Sequence, residues 1–251
     1  MVFAGYHLAG ILLEYKAGTD EYDQLRDYTA AAEDGTDAPE TSPAEGAGDN
    51  AVQGNAYFPT SSLVVDFAAL QQINPDVIGW IEIGSLDISY PIVQGADNSY
   101  YLHHTFQKQS NSSGAIFMDS QNGSGFQDAN TIIYGHNMKN GAMFGKLKHY
   151  TSKNIVQQEP YFWIHTPGAV YTYQAFSVHT ISPESDAYTL FFGIPDQAFV
   201  DWAGKMASES EVSLETPVFD SGNKIVTLST CTSDGSDRYV VHGILCGVVN
   251  R

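Results

Sequence analysis

Cysteine is scarce in this chain. Two thiols in 251 residues, Cys231 and Cys246, cannot build a disulfide framework, and neither stands in a CxxC or Cys/His spacing that would hold zinc. Basic residues are also few: 11 lysines and arginines against 29 acids leave a net charge of −18, which repels a nucleic-acid backbone and an anionic bilayer surface alike. A long apolar run is missing too. The stretch from Val2 to Leu13 is interrupted by Gly5, His7 and Gly10, and it falls short of the roughly 20 residues needed to span a bilayer. It lacks the basic start and small-residue cleavage site of a signal peptide. Two readings of it stay open: the tail of a longer native membrane anchor, or an ordinary amphipathic surface helix. No P-loop, GxGxxG, HExxH or GxSxG is present, which leaves nucleotide-binding, zinc-peptidase and serine-hydrolase readings without support.

What is present suits a folded domain. Hydrophobic residues at 43% and aromatics at 12% supply a core, and the length is sufficient to bury it without disulfides or metals. Eleven of the acids fall within residues 1–56, against two bases. Leu12, Tyr15, Tyr22, Leu25 and Tyr28 recur at helical spacing without proline, predicting a leading helix that runs through to Ala30. Residues 31–56, rich in Ala, Gly, Pro, Asp, Glu and Thr, have almost nothing to bury and predict a flexible acidic linker. Residues 57–251 are then expected to form the folded domain.

Within that part, Phe67 to Ile73 predicts a short helix stopped at Asn74-Pro75. Short β-branched or aromatic runs follow at 77–83, 88–93, 114–118, 131–134, 161–164, 170–173, 175–178, 225–228 and 239–241. Each is bounded by Gly, Pro, Asn or Asp, and no regular helices alternate with them, so a mostly antiparallel barrel is expected in place of a βαβ sheet. One amphipathic helix, Pro195 to Ser208, interrupts the series inside a long connection.

Cys231 ends the apolar run Ile225 to Thr230 and precedes the polar turn Thr232 to Asp237. A thiol there is held by a rigid element yet faces an open edge, as a nucleophile requires. Cys246, within Ile244 to Val249, reads instead as a small core hydrophobe. Arg238 is one of only three arginines and opens the next run. A tight connection would return its guanidinium to the thiol, where a fixed positive charge favours thiolate and donates to a developing oxyanion. Pairing with Asp234 or Asp237 at the surface is the competing reading. His136 follows the apolar strand Asn130 to Tyr134 in the same way, and supplies a proton partner. The other seven histidines read as structural or surface residues.

Three blocks together resemble the class B sortases, cell-surface cysteine transpeptidases of Gram-positive bacteria. They are NTIIYGHNMKNGAMFGKL (Asn130 to Leu147), VTLSTCTSDGSDRYVVHG (Val226 to Gly243), and NPDVIGWIEI with YPIVQ between Asn74 and Gln94, joined by GAIFMD from Gly114. The resemblance covers roughly Asn74 to Val249, and the pairing of TLxTC and its downstream arginine with an upstream YGHNM is highly specific. It implies a mostly β fold: a closed eight-stranded β-barrel with N-terminal helices and a helix in the long connection before the cysteine strand. It implies Cys231 as nucleophile, His136 as general acid/base and Arg238 as the residue steadying substrate and oxyanion. The implied substrate groove is walled by Ser182 to Ile194, centred on Tyr188 and Thr189, and by Asn98 to Leu102, with Ser229 and Thr230 on its floor. No cofactor or metal is implied. The implied partners are the sorting-signal peptide of a surface protein and an amine from peptidoglycan or a pilin, with no nucleic acid. Membrane contact would come only through an N-terminal anchor missing or truncated here, at the extracellular face of the cell membrane in the cell envelope. Two rivals remain. A papain-like hydrolase places its cysteine early, at a helix start, and its histidine later, whereas His136 precedes Cys231 and both follow strands. A non-catalytic surface-binding or pilus-assembly module on the same barrel would have no need of His136, Cys231 and Arg238 together.

Overall fold

The computed structural model describes residues 2–31, 58–152, 154–191, 196–232 and 234–251. Helix α1 spans Val2–Leu25 and gives way to a tight 3-10 turn at Arg26–Tyr28. The predicted helix is therefore shorter than expected, for a tertiary reason. Thr29 is β-branched and extended (φ −121°, ψ 144°), and strand β1, Thr29–Ala31, pairs antiparallel with β2, Leu63–Val65. The segment read as an acidic linker lies, apart from Ala31, outside the described residues. No helix among the described residues is long and apolar enough to cross a membrane.

Helix α2, Phe67–Ile73, matches its sequence expectation. Asp66 caps it by accepting from the Ala69 N–H, and Phe67 and Leu70 are buried beneath it. Strands β3 (Val77–Ile83), β4 (Ile88–Val93), β5 (Ile116–Met118) and β6 (Asn130–Tyr134) follow. After the single-turn helices α3 (His149–Ser152) and α4 (Ile155–Gln158) come β7 (Tyr161–His165) and β8 (Ala169–Ile181). The runs at 170–173 and 175–178 are thus one strand, because Gln174 between them keeps its place opposite Tyr161 and Ile244. Helix α5, Gln197–Ser208, sits in the long connection before β9 (Ile225–Cys231) and β10 (Arg238–Asn250). Its cap is Asp196, which accepts from the Ala198 N–H, while Pro195, the expected first-turn residue, lies outside the described residues.

The eight strands from β3 to β10 close into a barrel in the order β10-β8-β7-β3-β4-β5-β6-β9. The expected antiparallel character holds at every seam except two. Strands β4 and β5 pair in parallel, as do β6 and β9, the partners in each case being joined by connections long enough for a crossover. The closed barrel leaves no exposed edge along these strands.

Strand alternation divides the apolar residues into two clusters. Ile81, Ile116, Ile133, Phe162, Tyr173, Leu228 and Val241 pack inside the barrel. Outside it, Phe199, Trp202 and Met206 of α5 pack down on Phe176, Ile225, Val240 and Ile244. The helical spacing read in the sequence is this buried face of α5. Along β6, β9 and β10, the face that meets α5 carries Asn130, Thr227, Val240 and His242, and it ends in the residues that form the candidate site.

Candidate active site

Cys231 is the last residue of β9 and Arg238 the first of β10, and the two are direct cross-strand partners. Directly opposed residues in an antiparallel pair project to the same face, so thiol and guanidinium emerge together at the turn end of the hairpin. The turn is held by Thr232, whose Oγ1 donates to Asp234 Oδ1 at 2.7 Å and whose N–H donates to Asp237 O at 3.0 Å. Among the described residues Arg238 makes no ion pair with Asp234 or Asp237. Its Nη1 donates to the carbonyls of Gly235 (3.2 Å) and Asp237 (3.0 Å).

His136 reaches the same place through the parallel β6/β9 pairing. Tyr134 stands opposite Ser229, and the next residue, Gly135, donates its N–H to Ser229 O at 3.1 Å. Continuing that register brings His136 level with Cys231. Asn137 then fastens the junction, its Nδ2 donating to Cys231 O at 2.8 Å. The His136 ring is oriented by the Leu102 carbonyl, 2.7 Å from Nε2. A carbonyl only accepts, so Nε2 carries the hydrogen and Nδ1 is left as the basic nitrogen.

Two glycines allow this close fit. A Cβ on Gly135 would overlap the Phe144 ring at 2.8 Å. Gly114 has φ +55°, and a Cβ there would stand 2.6 Å from Tyr101 O, 2.9 Å from Leu102 O and 3.0 Å from His136 Cδ2. Its own carbonyl accepts from the buried Tyr22 hydroxyl of α1 at 2.6 Å, so the N-terminal helix braces the segment behind the imidazole. Gly114→Ala is expected to cost about 1–3 kcal/mol through backbone strain and crowding, and to lower turnover by displacing His136. Urea midpoint and peptide turnover check this; an unchanged midpoint would show that the segment yields freely.

Of the remaining residues singled out by sequence, Tyr188 and Ser229 come together: the phenol lies 2.8 Å from Ser229 Oγ. Ser229 shares the outward face of β9 with Cys231, two positions away. Burial raises the Tyr188 hydroxyl above its ordinary pKa. The Ser229 hydrogen bond opposes that rise, and Arg238 and Cys231 lie near enough to act on it in opposite senses. Thr230 alternates to the barrel interior opposite Tyr239, buried and with its Oγ1 unpartnered. Thr189 donates its hydroxyl to Asp186 O at 2.7 Å, a local turn bond. Leu102 contributes its carbonyl to His136 and a half-buried side chain to the barrel core. The Asn98 amide is engaged at both ends, donating to Asp119 Oδ2 at 2.7 Å and accepting from the Ser120 N–H at 2.7 Å. Of the loop Ser182 to Ile194, residues up to Phe191 are described.

Sequence reading missed three residues. Asp119, buried at the end of β5, accepts from both Asn98 and the Tyr134 hydroxyl, the latter at 3.0 Å. Tyr134 lies beside Tyr188, their rings 6.2 Å apart, and burial followed by the Asp119 charge drives its pKa far up. Asn130 lies under the Tyr188 turn. The period-2 pattern of Asn130-Tyr134-His136 could have placed these side chains on one face, but not what they touch. Among the described residues no cluster of His, Cys, Asp and Glu is arranged to hold a metal ion.

A family profile for the sortase domain matches residues 81–246. The chain is 36% identical over 180 residues to sortase B of Listeria monocytogenes, covering 70% of this chain and 72% of that one. A crystal structure of sortase B from Bacillus anthracis in complex with AAEK1 superposes with a TM-score of 0.73 at 29% identity, over 96% of this chain and 100% of that one. A Staphylococcus aureus sortase B–substrate complex superposes with a TM-score of 0.65 at 28% identity, over 72% of this chain and 85% of that one.

Proposed function

The chain belongs to the sortase family, in its class B branch, and from that premise we propose that it is a cysteine transpeptidase acting on the sorting signals of surface proteins. The observation that carries the reading is the convergence of three chemically complementary groups from separate strands. Cys231 and Arg238 face each other across one hairpin, and His136 is tied to the Cys231 backbone through Asn137.

The chemistry divides into two acyl transfers. The Cys231 thiolate attacks the carbonyl carbon at the scissile peptide bond, and the negative charge that forms on oxygen is met by the Arg238 guanidinium. The carbon–nitrogen bond breaks and the departing amine takes from His136 Nδ1 the proton that the Cys231 thiol gave up on becoming thiolate, leaving a thioacyl enzyme. His136 next accepts a proton from an incoming amine, whose nitrogen attacks the thioester, and Cys231 leaves as thiolate. With Nε2 donating to Leu102 O, Nδ1 is the nitrogen that exchanges these protons. The incoming amine is one of peptidoglycan or a pilin lysine. The groove lies between the Tyr188 turn and the segment from Asn98 to Leu102, with Ser229 on its floor. Residues 57–251 act as the catalytic domain at the extracellular face of the membrane in a Gram-positive envelope, and residues 1–30 lead from the membrane to the barrel.

Incubating the protein with a library of five-residue sorting peptides and an excess primary amine tests this. Mass spectrometry should find one peptide bond cleaved, an acyl adduct on Cys231 and a peptide–amine product. Labelling of the thiol by a small electrophile with no peptide cleaved anywhere in the library would favour a non-catalytic binding module.

A further inference from the structure

Asn130 opens β6, is fully buried, and spends both amide hydrogens on the connection that carries Tyr188. Its Nδ2 donates to Ala187 O at 3.2 Å and to Thr189 O at 2.9 Å, the two carbonyls that flank Tyr188. Its Oδ1 accepts from Thr227 Oγ1 at 2.7 Å. The threonine hydroxyl has one proton and gives it to Asn130. The contact of Thr227 Oγ1 with His242 Nδ1, at 2.9 Å, is therefore a donation from the imidazole. The amide cannot flip without setting its oxygen against two carbonyls. It is locked from below by a chain that runs through β9 to β10.

A side chain pinned by backbone carbonyls on both sides has little freedom to swing. Tyr188 is fixed at a third point as well, where its hydroxyl meets Ser229 two residues before Cys231. The other ties of this turn run to α5, from Trp202 Nε1 to Asp186 O at 2.9 Å and from Lys205 to the Asp186 carboxylate at 2.7 Å. Among the described residues, Asn130 alone joins the carbonyls beside Tyr188 to the strand that leads to His136. We infer that Asn130 is a positioning residue that sets Tyr188 against the thiol's face of the sheet, and through Tyr188 the width of the groove for the acyl side of the peptide. The second half of this inference rests on the transpeptidase reading above; the first half does not.

The test uses two variants. Asn130→Asp keeps the size but turns a double donor into an acceptor facing two carbonyls. Thr227→Val removes only the hydroxyl that locks the amide, and it is the milder variant if the aspartate protein does not fold by circular dichroism. In protein labelled with fluorotyrosine, the Tyr188 fluorine resonance, assigned by its loss in Tyr188→Phe, should shift and broaden in either variant, while that of Tyr173 inside the barrel should not. For a cleaved sorting peptide, kcat/KM should fall about tenfold or more, mostly through KM, as expected when buried carbonyls lose their donor. Alkylation of Cys231 by iodoacetamide should stay within about twofold, a difference a general loss of structure would not spare. In a Tyr188→Ala background the Asn130 substitution should add less than about twofold, the signature of one residue acting through another. An unmoved Tyr188 resonance, or losses that multiply in full with those of Tyr188→Ala, overturns the inference. A resonance that moves as expected in a protein whose unsubstituted form cleaves no sorting peptide overturns the transpeptidase reading and leaves the hold of Asn130 on Tyr188 standing.

Discussion

Cys231→Ala is expected to abolish peptide cleavage and thioacyl formation while leaving the thermal midpoint almost unchanged. Cys246→Ala is expected to keep its activity and lose stability. The two thiols differ in what surrounds them. Cys231 ends a strand beside the hairpin turn, half-exposed, opposite a guanidinium. Cys246, read from the sequence as a core hydrophobe, is half-exposed too and lies outside both apolar clusters; its Sγ–H donates to Thr172 O at 3.2 Å, and desolvation of the sulfur holds its thiol up at about 12. That group stays protonated at neutral pH and is no nucleophile. Removing the attacking atom from a covalent acyl-transfer site costs on the order of 10⁵–10⁶ in kcat. Trimming Cys246 forfeits one weak hydrogen bond and some packing, about 1 kcal/mol. Turnover of a sorting peptide, electrospray mass of the acyl adduct and thermal melts on both variants make the comparison. Equal loss of activity in two folded variants would overturn the assignment of Cys231 as nucleophile.

The parts of this site that could be read from sequence are those whose spacing is local. Cys231 and Arg238 belong to one hairpin, so a polar turn between two apolar runs was enough to bring them together. His136 was legible because a histidine directly after a β-branched strand is held as rigidly as the cysteine after its own. The helix α5 announced itself through Phe199, Trp202 and Met206, which recur with helical period and are buried as that period requires. What could not be read is what acts across the fold. The bonds from Asn130 to the carbonyls beside Tyr188 join residues 57 and 59 positions apart through backbone oxygens, which carry no sequence signal. The same holds for Asp119, which gathers Asn98 and Tyr134 from either side of it. The end of α1 was misplaced for a related reason. Local spacing favoured helix through Ala30, and pairing of Thr29–Ala31 with Leu63–Val65 prevailed. Thr230 follows from alternation once the strand is fixed: neighbours on β9 face opposite sides, so the face that carries Ser229 and Cys231 cannot carry Thr230 as well.

The Arg238→Lys variant is expected to lose about 10²–10³ in kcat/KM, the range seen when one donor to a developing oxyanion is removed. Lysine keeps the charge, and the question is whether charge is the working property. The guanidinium spends a single nitrogen on the turn: Nη1 makes both bonds, to Gly235 O at 3.2 Å and Asp237 O at 3.0 Å. Anchoring by Nη1 fixes the plane of the fork and leaves Nη2 to be presented to a substrate oxygen. An ammonium offers three donors around one atom. If it bonds to the turn carbonyls it is drawn back from the thiol, and if it reaches the substrate it leaves those carbonyls and loses its orientation. Either way, the pre-set geometry that makes an oxyanion donor effective is gone. A role limited to favouring the Cys231 thiolate predicts something else, since a point charge serves that purpose nearly as well and lysine would retain most of the rate. Two measurements separate these cases: kcat/KM for Arg238→Lys on a sorting peptide, and the pH profile of Cys231 alkylation in the same protein. An oriented donor predicts a large rate loss with the alkylation profile little moved. A variant that keeps most of its activity, or whose whole defect is a shift of that profile to higher pH, would show that Arg238 acts as a charge beside the thiol and not as a fork aimed at the oxyanion.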